Sequence, residues 1–191
     1  MSKLVVSQLE SPAVSGIITV VPGDIVYSPG SVVQVIQNHT WDQSSMSIPS
    51  SYTAFTNIPL TASITPKSSA SKILVEVRWM GEFSNEGATW NLMWNLRRGT
   101  TLIGRNPSWP TDRNTGIMIS YLSYRDADNS STPEGVFYNF LDSPATTSTI
   151  TYTACVQTDT AMTLWTNRTV GYTSGGHEAG TSSITLWEIA Q

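Results

Sequence analysis

Two histidines, one cysteine and a thin scatter of carboxylates carry most of the chemical potential of this 191-residue chain. His177-Glu178 opens like a zinc-binding HExxH motif, but Thr181 stands where the second histidine is needed. His39 offers no short-spaced partner, so a metal would require a symmetric oligomer to gather one histidine per subunit, and no metal or cofactor is expected. A Ser-His-Asp triad assembles in space rather than in sequence, yet no GxSxG nucleophile elbow is present. Glu76, Glu82 and Glu86 gather near one strand end, and Asp126 and Asp128 share a turn. Glycosidases use paired carboxylates, but solvated edge and loop charges account for both groups. Gly175-Gly176 lacks the GxxxxGK[ST] pattern of a phosphate loop. Nothing basic flanks Cys155, which falls on the polar parity of its strand, so it is expected to be a partly exposed, unreactive space-filler. The chain is expected not to be an enzyme.

The aromatic residues are better candidates for function. Seven tryptophans is a high count for a chain of this length. Trp79, Trp90 and Trp94 fall on core-facing parity. Trp41 and Trp109 fall in polar connections, Trp109 between Pro107 and Pro110, and Tyr121 and Tyr124 end a strand. Exposed rings on rigid loops suit stacking on sugars or a protein contact. Trp109, Trp41 and Tyr124 are therefore the candidate ligand-binding residues.

These residues must be held by β-strands. Leu60, Ala62 and Ile64 alternate with Thr61, Ser63 and Thr65, and Ile73, Val75, Val77 and Trp79 share the opposite parity to Lys72, Glu76 and Arg78. A period of two gives each run one dry and one wet face. Ser68, Ser69 and Ser71 lie in the polar turn between them. Similar runs follow over 90–97, 150–156, 161–167 and 184–189, separated by Gly- and Pro-containing breaks, with residues 38–57 read as a long polar connection. Low charge, abundant Ser and Thr and few Lys or Glu disfavour helices. The pattern predicts an all-β, antiparallel β-sandwich or jelly roll of about eight strands.

Residues 1–30 form a separate unit, with short apolar runs broken by Pro12, Pro22 and Pro29-Gly30. Such runs are too short for a core and suit an extended N-terminal arm that adds to a neighbouring sheet edge. The jelly roll is expected over 31–191. Its runs at 32–37, 117–124 and 136–141 are apolar on both faces, which predicts that another subunit covers the second face. A net charge of −4 with three lysines and seven arginines argues against nucleic acid. No apolar run is long enough for membrane insertion, and the first ten residues lack a signal-peptide core. The three glycosylation sequons, at Asn38, Asn129 and Asn167, read as chance matches in a Ser/Thr-rich chain.

The arm MSKLVVSQLESP…ITVVPGDIV, the segment SPGSVVQVIQ and above all the run Thr56–Trp79, TNIPLTASITPKSSASKILVEVRW, resemble structural proteins of tailed bacteriophages, especially of marine and cyanobacterial hosts. Asn95–Gly99, Gly104, Ser143-Pro144 and Gly180–Trp187 look similar too. The resemblance implies a virion fibre or tail protein, made in the host cytoplasm. Its jelly roll would form a homotrimer facing outward, and residues 1–30 would bind other virion proteins. It transfers no catalytic residue. The chain lacks the shaft of a long tail fibre, so a short tail or head fibre touching a host-surface glycan or protein fits best. Two alternatives stand: a capsid or tail decoration (cement) protein with no host ligand, and a carbohydrate-binding or carbohydrate-active module.

Overall fold

The structure is a computed structural model that describes residues 28–84, 92–106, 108–110, 115–120, 131–172 and 175–191. Among these are eleven strands and no helix. In chain order they are β1 (Val32–Thr40), β2 (Ser44–Ile48), β3 (Thr56–Ile64), β4 (Lys72–Ser84), β5 (Leu92–Arg98), β6 (Thr101–Ile103), β7 (Met118–Ser120), β8 (Glu134–Asp142), β9 (Ile150–Thr158), β10 (Met162–Thr166) and β11 (Ser182–Ile189). They form two antiparallel sheets packed face to face.

Three pairs of short strands lie end to end and act as one. β1 pairs with β11 and β2 with β10, while β11 and β10 share the same edge of the long strand β4. β6 and β7 share one edge of β5. The eleven strands therefore fill eight positions, in agreement with the sequence reading. The first sheet runs β1/β2, β11/β10, β4, β8, and the second runs β3, β9, β5, β6/β7. Most connections cross between the sheets, giving a jelly roll. The polar loop after β3 is one such crossing: β3 and β4 face each other across the core rather than pairing.

Asn167 fixes the joint where β1 meets β2 and β11 meets β10. It sits at φ 64°, a left-handed conformation that Asn tolerates. Its backbone N–H donates to Met80 O at 2.8 Å. Its amide nitrogen donates to Thr40 O and Asp42 O, both at 3.0 Å, and its amide oxygen accepts from Ser182 Oγ at 2.7 Å. The side chain is fully buried and saturated, so the sequon here falls on an Asn with no accessible amide. β4 passes this joint at Gly81, where a Cβ would come within 1.9 Å of Trp165 O.

The alternation read from the sequence sets the core. Ile73, Val75, Val77 and Trp79 of β4 are fully buried, as are Ile184 and Leu186 of β11 and Leu92, Trp94 and Leu96 of β5. Trp79 and Trp94 meet across the sandwich with ring centroids 4.9 Å apart. Each indole N–H is satisfied inside the core, Trp79 Nε1 by Thr166 Oγ1 at 3.1 Å and Trp94 Nε1 by Ser120 Oγ at 2.7 Å. Trp90 lies outside the described residues. On the outer face of β3 and β9, three hydroxyl pairs run in register: Thr61–Thr153, Ser63–Thr151 and Thr65–Thr149.

Polar groups tie the two sheets at their margins. Arg98 of β5 donates to both carboxylate oxygens of Asp142 on β8, at 3.1 and 3.0 Å, and Tyr152 of β9 donates its hydroxyl to Asp142 at 2.6 Å. Burial first, and the Asp142 carboxylate second, push the Tyr152 phenol well above its ordinary range. Glu188 of β11 points inward under the β3–β4 loop. It accepts from Gln34 Nε2 at 2.6 Å and from the backbone N–H groups of Lys67 and Ser68. Burial alone would raise its pKa, but these donors and Ser71 outweigh it and hold the carboxyl below its ordinary 4.5.

Asp142→Ala leaves an arginine and a buried phenol without their acceptor. Chemical denaturation should show a loss of about 2–3 kcal/mol, reduced from a fully buried pair because Arg98 is partly exposed. A loss below about 1 kcal/mol would show that the staple does not hold the sheets. Glu188 has a lowered pKa in the folded state, so its contribution is present above pH 4.5 and lost as pH falls through its folded value. Glu188→Gln should therefore be less stable at pH 7 and show a flatter acid limb. An unchanged acid limb would contradict this.

Candidate functional site

Antiparallel register determines which side chains share the outer face of the first sheet. On β4 the outward residues are Leu74, Glu76, Arg78 and Met80, since Ile73, Val75, Val77 and Trp79 point inward. Pairing then places Val35, Trp187, Leu74 and Leu141 in one row across four strands. The next row is Gln37, Thr185, Glu76 and Asn139, and the one after it His39, Ser183, Arg78 and Phe137. The face is thus apolar at one end and mixed polar and aromatic at the other. At about 3.3 Å per residue, roughly 13 Å separates the first row from the third.

Val35 and Leu141 of the apolar row are exposed, and Trp187 and Leu74 are half-buried. Phe137 at the other end is 58% exposed. On β1 and β8, the outward apolar residues read from the sequence remain in contact with solvent in the single chain. On β7, Met118 and Ile119 are likewise exposed. The rest of the predicted strand over 117–124, with Tyr121 and Tyr124, lies outside the described residues.

The polar end is concave. Ser183 and Thr185 on the second strand are short, while Gln37 and His39 on one side and Glu76, Arg78 and Phe137 on the other are long. A depression of about 380 Å³ results, lined by these seven residues. Several are held in place. Gln37 Nε2 donates to Thr185 Oγ1 at 3.0 Å, Trp187 Nε1 donates to Glu76 Oε2 at 2.6 Å, and Arg78 Nη2 donates to Thr181 Oγ1 at 3.1 Å. Each bond uses one polar atom of a group that has more. Glu76 and Arg78, two apart on the outer face of β4, are thus held by Trp187 and Thr181.

Of the sequence candidates, Trp41 borders this site through His39, one of the lining residues. It lies in the β1–β2 corner, 68% exposed, with its ring edge-on to His39 at 5.3 Å. Trp109 does not. It lies on the loop between β6 and β7, on the other sheet, 43% exposed, with its N–H bonded to Asn106 O. No ring contact joins it to Trp41. Tyr124 lies outside the described residues, as do Glu86, Asp126 and Asp128. Glu82 is buried and held by Thr132 Oγ1 and the Val170 N–H, so it is no surface charge. Among the described residues no three of His, Cys, Asp and Glu gather to hold a metal ion. Sequence reasoning missed Gln37, Arg78, Phe137, Ser183 and Thr185 as a group. They share a site only through strand pairing, which periodicity does not specify.

Cys155 corrects an expectation. It has outward parity on β9 yet is fully buried, because Phe55, Met93 and Leu102 form a small second cluster with it outside the main core. The chain thus covers part of the outer face of its second sheet with its own side chains. No family model matches the chain, and no curated protein matches it.

Burial pushes the Cys155 thiol up to about 12, against a smaller lowering by Arg97. A thiol reagent at pH 8 should leave the native protein unlabelled and modify one thiol per chain after unfolding. Fast labelling of the native protein would place Cys155 at the surface.

Proposed function

We propose that this chain is a structural protein of a tailed-phage virion, a short trimeric fibre anchored through residues 1–30 that meets the host surface with its jelly roll. The observation that carries this reading is the row Val35, Trp187, Leu74 and Leu141. It is a continuous apolar band across a sheet whose own chain supplies no cover among the described residues. A jelly roll facing water on that side would be expected to alternate with polar residues. A second copy packed on the band removes it from solvent.

The polarity of the domain supports the same reading. Residues 28–31 enter the sandwich beside its last residues, with Gly30 N–H donating to Ala190 O and Ala190 N–H donating to Ser31 O. Residue 28, where the described chain begins, therefore lies toward the end of the face that carries the apolar row. The depression with His39 and Phe137 lies toward the other end. Attachment and self-association are grouped at one end, and the polar, aromatic surface is left at the other. The resemblance of the run Thr56–Trp79 to phage structural proteins supplies the virion setting.

Light scattering on the full chain should give three times the 20.8 kDa chain mass. Leu141→Asp, at an exposed position, should shift the protein toward the single-chain mass while leaving its unfolding midpoint as a monomer intact. A monomeric unaltered protein would contradict the trimer and leave the apolar row to a different partner.

A further inference from the structure

The depression on the outer face of the first sheet has a chemistry of its own. Its floor holds two hydroxyls, Ser183 and Thr185, and its sides hold a carboxylate, a guanidinium, an amide and an imidazole from Glu76, Arg78, Gln37 and His39. One margin is the exposed ring of Phe137. Opposite it, His39 is backed by the exposed ring of Trp41, packed edge-on against it. This is a mixture of donors and acceptors with opposite formal charges two residues apart on one strand.

Such a surface discriminates by charge. An anionic ligand would meet Glu76, and a cationic one would meet Arg78. A neutral ligand rich in hydroxyls satisfies both, since a carboxylate accepts from neighbouring O–H groups and a guanidinium donates to their oxygens. Glu76 and Arg78 are each fixed by one bond, to Trp187 and Thr181, so less rotamer freedom is lost when a ligand takes their remaining atoms. The flanking rings supply flat apolar surface for the C–H face of a pyranose. The volume, about 380 Å³, lies at the low end of ligand sites, where few sugar residues fit.

We infer that this depression is a subsite for a neutral sugar residue of a surface glycan, with Glu76, Arg78 and Gln37 bonding its hydroxyls and Phe137 packing on its C–H face. The inference deepens the reading of the chain as a surface-binding fibre and rests on it. A shallow site with few contacts binds one sugar weakly, with a Kd on the order of 1–10 mM. Three copies held in one trimer raise the avidity for a repeating glycan without any new contact.

Saturation-transfer NMR on the full-length chain tests this with four probes: the methyl glycosides of glucose, galactose, mannose and N-acetylglucosamine. At least one should show saturable transfer to its ring protons. Glu76→Gln and Phe137→Ala should each weaken that binding by about tenfold or more. Trp109→Ala, on the other sheet, should leave it unchanged. Phe137 is exposed, so its loss leaves the fold intact, and a matching unfolding curve verifies this. Absence of transfer to all four probes overturns the inference, as does wild-type binding by Phe137→Ala. Native mass separates this from the fibre reading: a trimer without sugar transfer overturns the subsite alone, whereas a monomer overturns the fibre whether or not sugar binds.

Discussion

The contact of Trp79 with Trp94 is the constraint on which the rest of the molecule depends. It joins β4 of one sheet to β5 of the other at the centre of the core, with the rings tilted by 46°. Two indoles bury a large apolar area, and each carries an N–H that must find an acceptor in a dry interior. Thr166 and Ser120 supply those acceptors, one from β10 and one from β7. The pair therefore sets more than sheet separation. It fixes where β10 joins β4 and where β7 joins β5, at two of the three positions shared between short strands.

With the sheets locked in this way, the two outer faces differ in kind. The second sheet is partly covered from within, by Phe55, Leu102, Met93 and Cys155, carries hydroxyl pairs suited to water along β3 and β9, and exposes Ile119 on its edge strand β7. The first sheet carries an apolar row and a concave polar end. The asymmetry is the basis of the proposal that the first face makes contacts outside the chain. Strand register separates the apolar and polar side chains into rows, so the two kinds of surface lie at opposite ends of one face.

Much of the fold is legible in the sequence, because a period of two survives in β3, β4, β9 and β11. Ile73 to Trp79 was readable as a core face since every second residue is apolar and the intervening ones include Lys72, Glu76 and Arg78. β2 was not, because Ser44–Ile48 is a polar edge segment whose strand character comes from pairing with β10. Cys155 was misjudged because parity tells which side of a sheet a residue faces, not whether that side is covered. The site was legible only at Trp41. Phe137 drew notice as part of a strand apolar on both faces, but its neighbours Arg78, Ser183 and His39 come from three other strands, brought together by a register that only the folded chain reveals.

Hydroxyl-radical footprinting of the full chain across a dilution series tests most directly whether the outer face of the first sheet is where this molecule meets its partners. The account predicts that Leu141 and Val35 become protected as concentration rises, while Trp109 on the opposite sheet stays equally reactive throughout. Equal labelling of Leu141 at every concentration, or protection of Trp109 instead, would contradict it.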